Sequence, residues 1–432
     1  MKCLSRGGKT IASGGFGCVF RPSLKCKMIN DREPNKISKL MTSKHALSEY
    51  NEVMILKNIL NKIPNYTNYF IIDGFTICQP DKLTKSDLTD FKKCSALPKD
   101  SIISTNINKS LDKLLLINIP DGGDALDNFI YMHSAYQEII EINKSMIQLY
   151  MNGIIPMNKL NIYHSDIKDS NILISRKKDG SLYAKLIDWG LAVIYNPKNH
   201  QDLPKNWKNR PLQFNVPFSI IIFSNKFEEK YSNFLNNSSG KITHAKLVPF
   251  VLNYITEWNE IRGPGHFKYI THIFFMFFEK DHPQEKDNIH FFEKTYTMPY
   301  MTNYIVKILL AFKPKEYLDN IFVKNVDVWG LLMTYYPIME IIYDNYKTSS
   351  KHDIKIFNFI KSLYLNVLYK NGDKVISVSK VLKEMNKFTN LFKNSITKTM
   401  RKNKNKTLSN KSSNSTKSTK HNASRKLKYL DF

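Results

Sequence analysis

The segment IYHSDIKDSNILI (162–174) sets a His, an Asp, a Lys and an Asn in one short loop ahead of an apolar run. Structure alone seldom requires four kinds of polar group there. Asp166 can take a proton from a hydroxyl nucleophile. Lys168 can offset charge on a transferred phosphoryl group, and Asn171 can ligate a metal through its amide oxygen. LIDWG (186–190) places Asp188 after a second apolar run and before a glycine, 17 residues beyond Asn171. One hairpin separates the two, so their oxygens come near each other. Oxygen ligands of this kind suit magnesium beside a nucleotide. The alternative for Asp188 is an ordinary turn-capping role.

These residues need elements to position them. IASGGFGCVF (11–20) reads as strand, glycine turn, strand. Gly14, Gly15 and Gly17 would let backbone N–H groups approach phosphates, although any tight hairpin uses glycine. Gly8-Lys9-Thr10 is not a Walker A loop, because Cys3 stands where that motif needs glycine. ISKLM (37–41) is a short strand carrying Lys39, with Lys36 just before it. HALSEYNEVMILKNIL (45–60) has apolar residues at Leu47, Val53, Leu56 and Leu60 and a second row at Ile55 and Ile59, which predicts an amphipathic helix. LLLINI (114–119) is of strand length, and PDGGD (120–124) breaks the pattern as a linker would. YQEIIEINKSMIQLYM (136–151) predicts a buried helix, and RKKDGS a hairpin with an Asp-Gly turn. From about 218 to 390, helical patterns alternate with polar connections.

The chain has 432 residues, 42% hydrophobic, which excludes wholesale disorder. No apolar run reaches the 18 or so residues of a membrane span. The start, MKCLSRGGKTIASGG, has no apolar stretch, so no secretory signal is expected. The net charge is +26, which fits an acidic partner such as nucleic acid. Lys outnumbers Arg 56 to 8, so a bias in composition explains the charge equally well. Residues 391–432 carry twelve Lys/Arg against one Asp, and 401–426 contain a single leucine, so a disordered basic tail is expected there. The five cysteines, at 3, 18, 26, 78 and 94, are odd in number and form no CxxC. Free thiols in a reducing, cytoplasmic setting are expected. The rival is a zinc site built from Cys18, Cys26, Cys78 and Cys94.

Taken together, the motifs resemble the eukaryotic-type protein kinases, in the serine/threonine branch, densely over about 7–217 and more loosely over 326–390. The resemblance implies an α+β bilobal fold. Residues 1–119 would form a small β-rich lobe and 120–390 a large helical lobe, with an insertion at about 220–325 after the activation segment. The tail would follow at 391–432. The glycine loop would be Ile11, Ala12, Ser13, Gly14, Gly15, Phe16, Gly17, Cys18 and Val19, with Ala12 in place of its first glycine. Lys39 would be the strand lysine. Its helix partner would be Glu52 or Glu49, with Glu52 preferred by its spacing to Ile55, Leu56 and Ile59. The hinge would offer the Asn118 carbonyl to adenine and Asp124 to the ribose, while Pro120 falls where an N–H usually donates. Asp166 and Lys168 would be catalytic, and Asn171 and Asp188 would hold the metal. Ser165 stands where the family has the arginine that pairs with an activation-loop phosphate.

Two departures are notable. Pro217 resembles the proline of the APE motif, but Phe218 replaces its glutamate. DVWGLL (327–332) follows only after more than 100 residues. With GGFGCVFRPSLKC (14–26), this looks like the divergent kinases of large cytoplasmic DNA viruses, of the mimivirus, asfarvirus and poxvirus kind. The expected function is therefore a serine/threonine protein kinase using ATP and Mg2+, located in the cytoplasm, or in host cytoplasm or virion if viral. The rivals are a silent pseudokinase that binds a partner and a basic nucleic-acid-binding protein.

Overall fold

The computed structural model describes residues 7–407 apart from 30, 200, 201, 239, 240 and 264. Strands β1 (Lys9–Ser13) and β2 (Gly17–Arg21) pair antiparallel around the glycine turn, which the Gly14 N–H closes on the Gly17 carbonyl at 2.8 Å. A Cβ on Gly17 would lie 2.5 Å from Met41 Cγ and 3.0 Å from the Leu40 carbonyl oxygen, so only glycine fits. With β3 (Lys36–Thr42), β4 (Thr76–Cys78) and β5 (Leu114–Pro120) they form an antiparallel sheet in the order β1-β2-β3-β5-β4.

Register sorts the side chains of this sheet. Ala12 lies opposite Val19, Val19 opposite Lys39, and Lys39 opposite Ile117. Residues directly opposite share a face, so these four make one row. The neighbouring row, Ser13, Cys18, Leu40, Leu116 and Cys78, points to the other face. There Cys18, Phe20, Leu40, Leu97, Ile107 and Leu116 build a separate apolar core.

The cysteines depart from expectation. Cys18 is bonded to Cys94 and Cys26 to Cys78. The sheet faces bring each pair together across 76 and 52 residues. This overturns the zinc reading and, for these four cysteines, the free-thiol reading; Cys3 lies outside the described residues. It also runs against a reducing setting, since disulfides persist where thiols are oxidised.

Helix α1 (Ser43–Leu60) buries Ala46, Val53, Leu56 and Leu60. Leu47 and Ile55 are 49% and 56% exposed, so the buried face is rotated from the one expected. Glu49 falls in the buried 3-4-3-4 row; Glu52 does not.

Beyond β5 the chain is mainly helical. The short strands β6 (Asp124–Ala125), β7 (Ile162–Tyr163), β8 (Ile172–Arg176), β9 (Leu182–Leu186) and β10 (Val193–Ile194) line its upper edge, with β6-β8-β9 in one sheet and β7 paired to β10. The helix Val323–Met333 is buried almost throughout. A Cβ on its Gly330 would sit 2.4 Å from the Ile167 carbonyl oxygen, so glycine lets the loop after β7 lie directly on the helix. Phe218, at the position of the family's glutamate, is fully buried against Trp329, Tyr369 and Tyr304, with ring centroids 4.9–5.6 Å apart. Aromatic packing stands there instead of a carboxylate.

The expected insert contributes the helices Asn225–Asn237, His244–Arg262, Phe267–Phe278 and Met298–Ala311. Its apolar run IFFMFF lies in the third of these, and no helix among the described residues is long and apolar enough to cross a membrane. The helix Val378–Thr407 passes through the boundary expected for the tail at 391. Val381, Met385, Phe388 and Phe392 are buried at helical spacing, and Asn143 donates to the Met385 carbonyl at 2.8 Å and to Thr389 at 2.7 Å, which carries order past that point. Residues 408–432 of the expected tail lie outside the described residues.

Candidate active site

The loop after β7 builds the site. Asp327, fully buried on the helix Val323–Met333, accepts the backbone N–H of Ser165 at 2.8 Å and of His164 at 3.0 Å, and the Asn158 amide at 2.7 Å. Ser165 has φ +61°, a conformation side chains disfavour, and these bonds hold it there. His164 is buried. Its Nδ1 faces the Asp166 N–H at 3.3 Å and its Nε2 the Ile187 carbonyl at 2.9 Å, which fixes the tautomer with the proton on Nε2.

Asp166 is 4% exposed. Its Oδ2 accepts from Lys168 at 3.0 Å and from the Asn171 amide at 2.9 Å. Its Oδ1 accepts from the Asn215 amide at 2.8 Å and lies 3.6 Å from Arg210. Burial pushes this carboxyl up, but Lys168, Arg210 and the Asn215 hydrogen bond outweigh it and hold it below the usual carboxylate range. It therefore stays ionised near pH 7.

Asn171 also donates to the Asp166 carbonyl at 2.9 Å, so its amide oxygen is the atom left to ligate. The Ile187 N–H donates to the Asn171 carbonyl at 3.0 Å, which sets Asp188 one residue from that bridge. Asp188 has φ +63°. Trp189 after it is buried, donates to the Ile71 carbonyl at 3.1 Å and packs edge-on to Phe70 at 5.4 Å. Asp188 in turn acts electrostatically on Lys39. One amide oxygen and one carboxylate suit Mg2+, which takes few protein ligands and fills its shell with phosphate and water.

Above the loop, Lys39 contacts both Glu49 oxygens, at 2.8 and 2.7 Å. Glu49, not the preferred Glu52, is therefore the helix partner; Glu52 is exposed and accepts from Ser48 at 3.0 Å. The rotated face of α1 is the reason. Burial opposes charge on Lys39, yet Asp188 and Glu49 outweigh it and raise its pKa. Burial raises Glu49 despite Lys39, which on its own would favour a protonated acid. Two short contacts to one ammonium decide for the ionised pair.

The glycine-loop residues divide. Ala12 and Val19 share the Lys39 face with Ile117, which the sequence reading did not include. Ser13 and Cys18 point to the other face. Ser13 Oγ accepts the Ser95 and Ala96 N–H groups at 3.0 and 3.2 Å, and Cys18 is tied to Cys94. Gly14–Gly17 form the turn, with Phe16 stacked on His45 at 4.5 Å. Ile11, on β1, is half-buried.

At the hinge, the Asn118 side chain is buried on the face away from Lys39, bonded to Ser38 and Glu33 at 2.5 and 2.7 Å, and its backbone lies in β5 between Ser38 of β3 and Thr76 of β4. The Asp121 N–H donates to the Asn35 carbonyl at 2.9 Å. Asp124 accepts from Arg21 at 3.2 Å, and Arg21 also binds Asp121 at 2.7 Å and the Gly123 carbonyl at 2.6 Å. Arg21 thus ties β2 to the hinge beside the expected ribose acid.

Residues 207–217 supply side chains that sequence reasoning missed. Trp207 is fully buried and its indole N–H donates to Ser165 Oγ at 2.9 Å. His266, at the start of the helix Phe267–Phe278, receives the Phe214 N–H at 3.4 Å, and its ring lies 5.3 Å from the Phe214 ring. Burial and Lys168 push His266 down to about 4, so it is neutral near pH 7. Arg210 and Asn215 were visible in RPLQFNVPFS, but only the fold turns them toward Asp166.

Residues 94–209 match the family described as Protein kinase domain. Among curated relatives, serine/threonine-protein kinase DCLK2 of Mus musculus is 27% identical over 124 residues, which is 29% of this chain and 16% of that protein. DCLK2 of Homo sapiens is 26% identical over the same length. The chain thus spans about 16% of these relatives. With a β-sheet N-terminal part, a helical C-terminal part and this match across the join between them, the chain has the bilobal α+β fold of the eukaryotic-type protein kinases.

Proposed function

We propose that this protein is a serine/threonine protein kinase that transfers the γ-phosphoryl group of ATP, with Mg2+, to protein hydroxyls. One observation carries the reading: an ionised Asp166, flanked by Lys168 and Asn171, lies below a closed Lys39–Glu49 pair. Asp166 accepts the hydroxyl proton, and Lys168 faces the charge that develops on the phosphoryl group. Lys39, held by Glu49, fixes the phosphates under the Ala12–Val19 roof. Asn171 and Asp188 would hold the metal, which neutralises phosphate charge when bound. A pseudokinase would not need this set assembled. The test is transfer from radiolabelled ATP to a mixed protein substrate, with phosphoamino-acid analysis; no transfer by wild type beyond that of Lys39→Met would defeat the proposal. We assign residues 1–119 to the small lobe and 120–390 to the large one. Kinship with the divergent kinases of large cytoplasmic DNA viruses is proposed from Phe218 after Pro217, from the late DVWGLL (327–332) and from GGFGCVFRPSLKC (14–26); a phylogenetic placement outside that group would remove it.

Activity is expected not to need an activation-loop phosphate. Ser165 lacks the arginine's charge, and Trp207 occupies its hydroxyl. Residues 191–216 contain no Ser or Thr, and their one tyrosine, Tyr195, is fully buried and bonded to Asp319. Phosphatase treatment should leave the rate unchanged, and a clear loss would refute this.

At the hinge, Pro120 has no N–H and the Asp121 N–H is already engaged by Asn35. Cleft-binding compounds that rely on a hinge donor should lose roughly two- to tenfold in affinity, the worth of one net hydrogen bond. ATP should lose less, because its phosphates carry much of its binding. Pro120→Ala should restore the difference; equal affinity in both proteins would show that the proline is not at the donor position.

The basic run at 391–432 is proposed to bind an acidic partner or nucleic acid. Deleting 408–432 should weaken DNA binding, most strongly at low salt. Unchanged affinity would favour compositional bias as the source of the charge.

A further inference from the structure

The two oxygens of Asp166 face different surroundings. Oδ2 looks toward Lys168 and Asn171, the side of the nucleotide and metal. Oδ1 looks toward Asn215 and Arg210, which on the kinase reading is the side open to the acceptor polypeptide. Arg210 is 5% exposed. Its Nε donates to Gln213 at 2.7 Å, but neither Nη1 nor Nη2 has a hydrogen-bond partner, and neither does Asn215 Oδ1. Nη2 is ion-paired with Asp166 Oδ1 at 3.6 Å, too far for a hydrogen bond, so a buried guanidinium here lacks hydrogen-bond partners for its outer donors, which is uncommon because desolvation without replacement is costly. Asp327 cannot supply the missing partner, since its oxygens are taken by Ser165, His164 and Asn158. Nor can His266, which is neutral and engaged with the Phe214 N–H. The insert fixes this arrangement from outside: the His266 N–H donates to the Leu212 carbonyl at 3.1 Å, two residues from Arg210.

We propose that the Nη groups of Arg210 bind an anionic side chain, carboxylate or phosphate, on a residue immediately beside the acceptor serine or threonine. The inference rests on the kinase reading and names its substrate class. Any hydroxyl that reaches Oδ1 of Asp166, itself 4% exposed, arrives within a few ångströms of Arg210, which is 3.6 Å from that oxygen. A neighbouring residue on the same chain is spaced about 3.8 Å away along the backbone, so its side chain can meet the guanidinium. The planar fork of arginine suits both carboxylate and phosphate bidentately.

The test uses the full chain and a set of serine peptides that differ only at the residues before and after the acceptor: alanine, aspartate, phosphoserine or lysine. Aspartate or phosphoserine should raise kcat/KM over alanine by at least about tenfold, mainly through KM, and lysine should lower it. A rise with phosphoserine alone identifies a pre-phosphorylated substrate, and a rise with both identifies an acidic one; either supports the proposal. Arg210→Gln should bring the acidic-to-neutral ratio close to one, while Arg210→Lys keeps part of it. Equal use of acidic and neutral peptides by the wild type overturns the inference and leaves the kinase reading standing, as does a full preference retained by Arg210→Gln. Should Arg210→Gln fail to fold, the wild-type ratio decides. No transfer to any peptide takes down the kinase reading and this inference with it.

Discussion

Replacing Asp166 by asparagine is expected to lower turnover by roughly 10²–10⁴, the usual share of a general base. The amide matches the carboxylate in shape but cannot take the hydroxyl proton. The site is also arranged around a negative charge: Lys168 and Asn171 donate to one oxygen, Asn215 to the other, and Arg210 lies close by. An amide turns two of its hydrogens toward one of these donor pairs. Stability should therefore fall as well, and turnover is best measured well below the melting temperature of the variant. ATP affinity should change little, because in the proposed arrangement Lys39, Asn171 and Asp188 serve the nucleotide and Asp166 serves the acceptor. Turnover and nucleotide affinity measured on one preparation separate these effects. Near-normal turnover would remove Asp166 from the role of base, and a parallel loss of ATP binding would point to collapse of the site instead.

The catalytic loop was legible because its chemistry is compressed into six residues, Asp166 to Asn171, whose spacing few other uses require. The sheet followed from alternation and glycine turns. What escaped the sequence depends on which way a face turns. The row containing Glu49 could have been found from the 3-4-3-4 spacing of Ala46, Glu49, Val53, Leu56 and Leu60. Leu47 and Ile55 obscured it, because both are apolar and both are exposed. The disulfides were illegible for a similar reason. Cys18 and Cys78 share one cross-strand row, but their partners Cys94 and Cys26 lie outside the strands, where no periodicity marks a direction. Trp207, Arg210, Asn215 and His266 gain their roles only from contacts across about 40–100 residues, which local pattern does not encode. The limit of the helix Val378–Thr407 was misjudged because charge and polarity rise at 391, while the last buried aromatic of its apolar row is Phe392.

Asp327 reaches the same base from behind, and its substitution should be nearly as damaging without touching substrate. Its carboxylate accepts three donors, of which the two backbone N–H groups belong to His164 and Ser165. Asp327→Asn keeps one accepting oxygen. The amide should turn so that this oxygen retains the His164 and Asn158 bonds and its NH2 faces the Ser165 N–H. One buried donor is then stranded, at a cost of about 1–3 kcal/mol. That is comparable to the strain of a residue held at positive φ, also about 1–3 kcal/mol, so Ser165 has reason to relax to an ordinary conformation. Relaxation would shift Asp166, the next residue. A displacement of about 1 Å at a reacting group costs roughly 10²-fold in rate. The expected result is a modest fall in melting temperature, a fall in kcat of about 10²-fold, and unchanged ATP affinity. Asp327→Ala strands all three donors and leaves a cavity, so it should fail to accumulate as folded protein. If the asparagine variant kept its kcat within about threefold, less than 1 kcal/mol of barrier, the strained loop would be holding itself, and Asp327 would be a packing residue only.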